Sequence, residues 1–259
     1  MPHLAQLWTY PIKSCAGIPL SEATLGPRGL AYDRHWMVVD EAGRMVTMRS
    51  APALARVTPR FESDHLALRV AAMPPLALPY EAAGREVQVE LWDGLAAATA
   101  LPDASAWFSE YLRRDAHLVA VSAANRRTTS PARGSRPLSF VDDSPLHLLG
   151  EASLADLNRR LEVPVGIERF RPNLVIGGSA PFAEDTWQRV RIGPVPFAVD
   201  EACERCMVVN ISEDGTYAKA PLAALAKYRR EGKRVLFGQS VSHLTLGEIA
   251  VGDALEVLA

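Results

Sequence analysis

Cysteine is scarce. Cys15, Cys203 and Cys206 are the only three in 259 residues, too few for a disulfide framework, so a reducing cytoplasm is the expected setting. Long apolar runs are missing too. No stretch is long enough to span a bilayer, and the opening residues 1–14 lack the charged segment and apolar core of a secretory signal, so no membrane association is expected. Neither sign of charge dominates: 28 Lys and Arg stand against 30 Asp and Glu, a formal net charge of -2. Proteins that track phosphate backbones usually carry a clear positive excess, which argues against a nucleic-acid polymer as partner. The glycine-rich loops of nucleotide binders, the serine elbow of hydrolases and the paired-histidine zinc helix are all absent. No internal repeat is evident.

What is present is ordinary globular material, 48% apolar and 22% charged, cut into short runs by 17 Gly and 19 Pro. Leu66–Val70 and Glu86–Leu91 alternate with a period of two, as half-buried strands do. Met37–Asp40 and Met45–Thr47 flank Gly43 as a hairpin would. Arg189–Ile192, Val195–Val199 and Met207–Ile211 predict further strands, and Gly247–Leu258 predicts two around a Gly-Asp turn. Three helices are expected. One covers Ala104–Arg113 with Asp103 as N-cap, one covers Glu151–Leu161, and one opens at Pro221 and carries Leu222, Leu225 and Tyr228. Few helices among many short strands predict a mainly β, α+β protein built on barrels or sandwiches. Residues 122–137, rich in Ser, Pro, Gly and Arg without apolar period, predict a loop between two domains, 1–122 and 123–259. Arg126, Arg127, Arg133 and Arg136 make that loop the most basic segment.

Three groups of residues could carry chemistry. Cys203-Glu204-Arg205-Cys206 is a C-x-x-C pair. A zinc ribbon would need a second ligand pair that the sequence lacks, and a redox dithiol normally opens a helix, whereas a strand-like run follows here. Two buried structural thiols, or a thiolate ligand to a soft metal favoured by Arg205, remain open. Lys13-Ser14, Asp33-Arg34 and Arg169–Asn173 set cations beside small polar residues, which together suit a phosphorylated, hydrogen-bond-rich ligand. Asp142-Asp143-Ser144 could serve proton chemistry or simply cap a turn. His35 and His147, as isolated histidines, read as packed or exposed.

Taken in order, these segments resemble one family. Tyr10–Gly17, Asp33–Val38 and Val46–Arg49 resemble the N-terminal β-barrel domain that precedes MOSC domains. Asp142–Pro145, Glu151–Asn158, Phe170–Ile176, Ala183–Trp187, Cys203–Cys206 and Leu236–Gln239 resemble the MOSC domain itself, as found in the mitochondrial amidoxime-reducing component and its bacterial relatives. The resemblance implies an N-terminal β-barrel-like domain packed on a β-rich MOSC domain, with a molybdenum cofactor (Mo-molybdopterin) held between them. It gives Cys206 the role of metal-ligating, catalytic thiolate. Lys13, Ser14, Arg34, Asp142, Asp143, Ser144, Arg171, Asn173 and Arg205 become cofactor-contacting positions. The implied activity is reduction of N-hydroxylated substrates: bases, amidoximes or hydroxylamines. No cysteines for an iron–sulfur domain follow, so the expected electron donor is a separate flavin, haem or iron–sulfur protein. A non-catalytic carrier of the cofactor or of sulfur is the alternative. The run after Cys206 differs from the Thr-rich run common in the family, with Asn210 where Thr is usual.

Overall fold

The alternating apolar runs become strands in the computed structural model, which describes Met1–Ala259. The largest sheet has nine strands. Across it lie Leu255–Val257, Arg189–Ile192, Val195–Glu204, Arg234–His243, Leu146–Gly150, Leu174–Gly177, His3–Thr9 and Ile18–Leu20, and Arg230–Glu231 hairpins onto Arg234–His243. Its pairings are antiparallel except one. Leu146–Gly150 runs parallel to Leu174–Gly177, and the helix Glu151–Asn158 makes the crossover. Alternation assigns the faces. Leu148, Leu174, Ile176 and Phe197 pack on one side with Leu4, Leu7, Leu25 and Leu30. Leu149, Val175 and Phe237 pack on the other against Phe170, Leu157 and Leu225.

Three smaller sheets complete the architecture. Trp36–Val39, His117–Val121, Gly94–Ala100 and Glu86–Leu91 form one; Thr58–Phe61, His65–Arg69 and Leu76–Pro79 form another. Between them Ile12, Trp36, Leu54, Leu68, Phe108 and Leu118 make a separate core under the helix Pro102–Leu112. The third joins Gly247–Ala250 to Glu22–Gly26 and Gly29–Leu30. The fold is therefore mainly β with three α-helices, as the patterning predicts. Residues from the first 30 nevertheless belong to the sheets and core of the C-terminal half. The two ends of the chain also meet: Leu4 donates its backbone N–H to Asp253 at 2.9 Å, and Leu255 donates to Pro2 at 2.9 Å.

Several local expectations are corrected. Met207–Asn210 is a 3-10 turn, not a strand; the large sheet is already filled by Val195–Glu204, and Val209 instead caps the core around Phe237. The first helix starts at Pro102 with Leu101 as N-cap and no side-chain cap, because Pro suits a first turn and makes Asp103 a first-turn acid. The second helix stops at Asn158, whose side chain donates to Val165 O and accepts from Val165 N, both at 2.9 Å, and folds the chain back. The third covers only Ala220–Leu225. Met45 makes only an isolated bridge to Val39.

Candidate functional site

A cleft of about 440 Å³ opens where the N-terminal body meets the central strands of the large sheet, Val195–Glu204, Arg234–His243 and Leu146–Gly150. It lies within the ordinary range for small-molecule sites. All ten residues singled out in the sequence line it: Lys13, Ser14, Arg34, Asp142, Asp143, Ser144, Arg171, Asn173, Arg205 and Cys206. Six cations, with Arg49 and Arg234 added, face four carboxylates, Asp142, Asp143, Glu201 and Glu204. The lining carries a positive excess suited to an anion.

The floor is built around Tyr10, which is fully buried. The guanidiniums of Arg34 and Arg171 lie 4.4 and 4.2 Å from its ring centroid. Buried Asp33 holds Arg34 Nη1 at 2.6 and 2.8 Å and accepts the Tyr10 N–H at 2.8 Å. Arg34 donates onward to Asn173 Oδ1 at 3.2 Å and to the Arg171 carbonyl at 3.1 Å. Arg171 donates Nη1 to the Cys15 carbonyl at 2.6 Å, while its buried Nη2 finds no partner. Burial, then the neighbouring Arg34 charge, lowers its pKa to about 10. Ser14, Arg34 and Arg171 all adopt left-handed backbone, at φ 72°, 44° and 53°. Such conformations cost a side-chain-bearing residue roughly 1–2 kcal/mol and cluster where function over-determines geometry.

The wall by the acidic turn is an ion pair. Lys13, only 7% exposed, donates to the Phe140 carbonyl at 2.8 Å and pairs with Asp142. Burial pulls the lysine below its ordinary range. Burial would also raise Asp142, but Lys13, Arg49 and Arg34 outweigh it and hold that carboxyl at about 2. Asp142 is thus a carboxylate at neutral pH.

The two thiols sit at the end of Val195–Glu204 and just beyond it, and each meets an arginine. Arg49 Nη2 donates to Cys206 Sγ at 3.0 Å, and Arg205 Nη1 donates to Cys203 Sγ at 3.0 Å. Arg205 also donates to the Phe170 carbonyl at 2.8 Å. His147 Nε2 lies 3.5 Å from the Arg205 guanidinium. Burial first, then the Arg205 and Arg34 charges, push His147 well below the usual histidine range, so it is neutral. Arg49, Asp33 and His147 are members of this site that sequence reading did not select. Arg49 and Asp33 stood inside quoted segments, yet nothing local distinguished them from solvated charges.

The basic loop is spent on internal contacts. Arg127 pairs with Asp93 at 2.9 Å and donates to the Ser139 and Val141 carbonyls. Arg133 pairs with Asp143 and Glu201, Arg136 donates to the His243 carbonyl, and Arg126 donates to Ala123. The loop straps the halves together and offers no free arginine cluster.

The chain also matches known domains and proteins along its length. Residues 1–115 match the MOSC N-terminal beta barrel domain, and residues 135–256 match the MOSC domain. The chain belongs to the MOSC family. Within that family it is 36% identical to mouse mitochondrial amidoxime-reducing component 1, over 98% of this chain and 82% of the mouse protein. It is 34% identical to rat mitochondrial amidoxime reducing component 2, over 96% and 81%. Rice molybdenum cofactor sulfurase is 32% identical over 91% of this chain, which spans about a third (32%) of that longer protein. No helix of this MOSC protein is long and apolar enough to cross a membrane.

Proposed function

We propose that this protein is a cytoplasmic molybdenum-cofactor-dependent oxidoreductase that reduces N-hydroxylated substrates with electrons from a separate flavin, haem or iron–sulfur protein. The observation that carries the reading is the meeting of one half-buried thiol, Cys206, with a cationic cleft shaped by both halves of the chain. The cleft fits such a cofactor on its own chemistry. A buried guanidinium nitrogen of Arg171 and one of Arg205 are unpartnered, and buried donors without acceptors favour an anionic, acceptor-rich ligand. Cys206 offers a soft donor suited to a redox metal.

On this reading residues 1–122 contribute Lys13, Ser14, Arg34 and Arg49, and residues 123–259 contribute Asp142, Asp143, Ser144, Arg171, Asn173, Arg205 and the metal ligand Cys206. Lys13, Arg34 and Arg171 hold the anionic part, and Asn173 fixes Arg34 against it. Arg205, anchored on the Phe170 carbonyl, keeps positive charge beside the Cys203 sulfur, as Arg49 does beside Cys206. When bound, the cofactor supplies the two-electron chemistry that removes oxygen from an N–O group. Arg49 donates to Cys206 Sγ and from there can orient a substrate oxygen. A carrier of the cofactor or of sulfur is favoured only by the likeness to the sulfurase.

Metal analysis of protein made in a cofactor-competent host tests the reading. Near-stoichiometric molybdenum and pterin are expected, with at least a tenfold loss in Cys206→Ala. Wild-type protein without molybdenum would sink the proposal. Bound cofactor without turnover of any N-hydroxylated base, under any reduced dye, would favour the carrier.

A further inference from the structure

The basic loop at 122–137 is consumed by internal contacts, but a second basic segment is not. Lys219–Arg234 holds six cations and one acid, Glu231, in a chain whose formal net charge is -2. Three of the four lysines fall there, and the fourth, Lys13, is buried. Of the six cations only Arg229 is engaged, pairing with Asp185 at 2.6 Å and donating to the Leu236 carbonyl at 3.2 Å. Lys219, Lys227, Arg230, Lys233 and Arg234 are exposed. The last three sit on a tight hairpin, in which Arg230–Glu231 returns through Gly232 and Lys233 into Arg234–His243. That hairpin is tied to the thiol segment. The Arg205 N–H donates to the Val235 carbonyl at 2.7 Å, and Arg234 lines the cleft beside Cys206. The turn after Cys206 joins the same surface. Val209, Leu225 and Val235 share one core cluster, which brings Met207–Asn210, the helix Ala220–Leu225 and the hairpin together. Met207 and Tyr217 beside them are 39% and 48% exposed, and Asn210 Nδ2 donates to the Tyr217 hydroxyl at 3.4 Å.

We infer that this surface, with the Arg230–Arg234 hairpin at its centre, docks an acidic one-electron carrier protein that supplies the reducing equivalents. This rests on the function proposed above and adds the face and the charge of the donor. Removing oxygen from one N–O group takes two electrons and two protons and releases water. A one-electron carrier must therefore dock, deliver and leave twice per turnover. Such traffic needs fast, reversible association, which charge steering over a small interface provides. Five unpaired cations meet that need on a chain that is otherwise net negative, so an acidic carrier is drawn to this face and repelled elsewhere. Met207 and Tyr217 offer the small apolar centre that gives such an interface its contact. Met207 directly follows Cys206, so a carrier seated on it stands one residue from the proposed metal ligand.

The test uses the cofactor-loaded full chain and its Arg230→Glu/Lys233→Glu variant, with an N-hydroxylated base as substrate. Two donors are compared: an acidic plant-type ferredoxin kept reduced by its reductase, and reduced methyl viologen, a small cation. With ferredoxin, wild-type turnover should fall as salt rises. The variant should be about tenfold slower at low salt, through the KM for the carrier, and should lose most of the salt dependence. With methyl viologen the two proteins should match. Ferredoxin rates that ignore both salt and substitution overturn the inference, as does a variant slowed equally with both donors. Phosphatidylglycerol vesicles test the rival occupant: if the variant loses vesicle binding while its ferredoxin rate holds, the hairpin serves a lipid surface and the inference fails. If wild type turns over nothing with viologen, the functional reading fails instead. Calorimetric binding of oxidised ferredoxin then still decides the docking face: weaker binding by the variant supports it, and equal binding or none refutes it.

Discussion

At the residue scale the site depends on charges held where water cannot help them. Asp33 is buried and neutralises Arg34 while pinning the Tyr10 backbone. Breaking a buried pair leaves one uncompensated charge, so Asp33→Ala should cost about 3–5 kcal/mol in urea unfolding, and should lower molybdenum content as Arg34 swings free. The histidines set the response to acid. Burial, with a smaller push from Arg28, lowers His35 to about 4. Burial also lowers His243, and His147 lies well below its usual range. An unfolded histidine takes up its proton near pH 6.5 while these folded ones stay neutral. Stability is therefore full above about pH 6.5 and falls as pH drops toward 4, by up to about 1.4 kcal/mol per pH unit for each histidine. Urea midpoints at pH 7 and pH 5 should show the fall, and His35→Phe should flatten it. Much of this site was legible in the sequence as types of residue: cations beside Ser and Asn, and one thiol after an arginine. What local pattern could not supply was pairing. Arg49 reaches Cys206 across 157 positions, and nothing near Arg49 in the chain announces that.

At the scale of elements, one bend matters most. Gly238 interrupts Arg234–His243 at φ 77°, and a Cβ there would come within 2.4 Å of His147 Nε2 and 2.8 Å of the Leu148 carbonyl. Both the left-handed backbone and the close approach demand glycine. Gly238→Ala should destabilise the protein by roughly 2 kcal/mol or more. It should also displace His147 from Arg205, which weaker cofactor retention would reveal. Strands with a clean period of two, such as Glu86–Leu91 and Arg189–Ile192, were read from sequence close to their observed limits. Met207–Asn210 was not, because an apolar run of that length fits a strand or a turn plugging a core equally well. The tertiary vacancy beside Phe237 decides between them.

At the scale of the whole molecule, the two family regions interleave. His3–Thr9 pairs with Leu174–Gly177, and Glu22–Gly26 pairs with Gly247–Ala250. A fragment of residues 123–259 would thus expose the edge of Leu174–Gly177 and the apolar face that Leu4, Leu7 and Leu25 cover. Expressed alone it should aggregate, and co-expression with residues 1–122 should rescue it; a soluble, folded monomer would contradict this. Sequence composition located the strap at 122–137 but could not show that strands cross it, since pairing partners so distant leave no local trace. The contact of residues 2–4 with residues 253–255 has its own consequence. The backbone is nearly a closed ring, and neither end can fray without unzipping the other. The amides of Leu4 and Leu255 should therefore exchange with solvent deuterium at matched rates, and loosening one end by mutation should speed both.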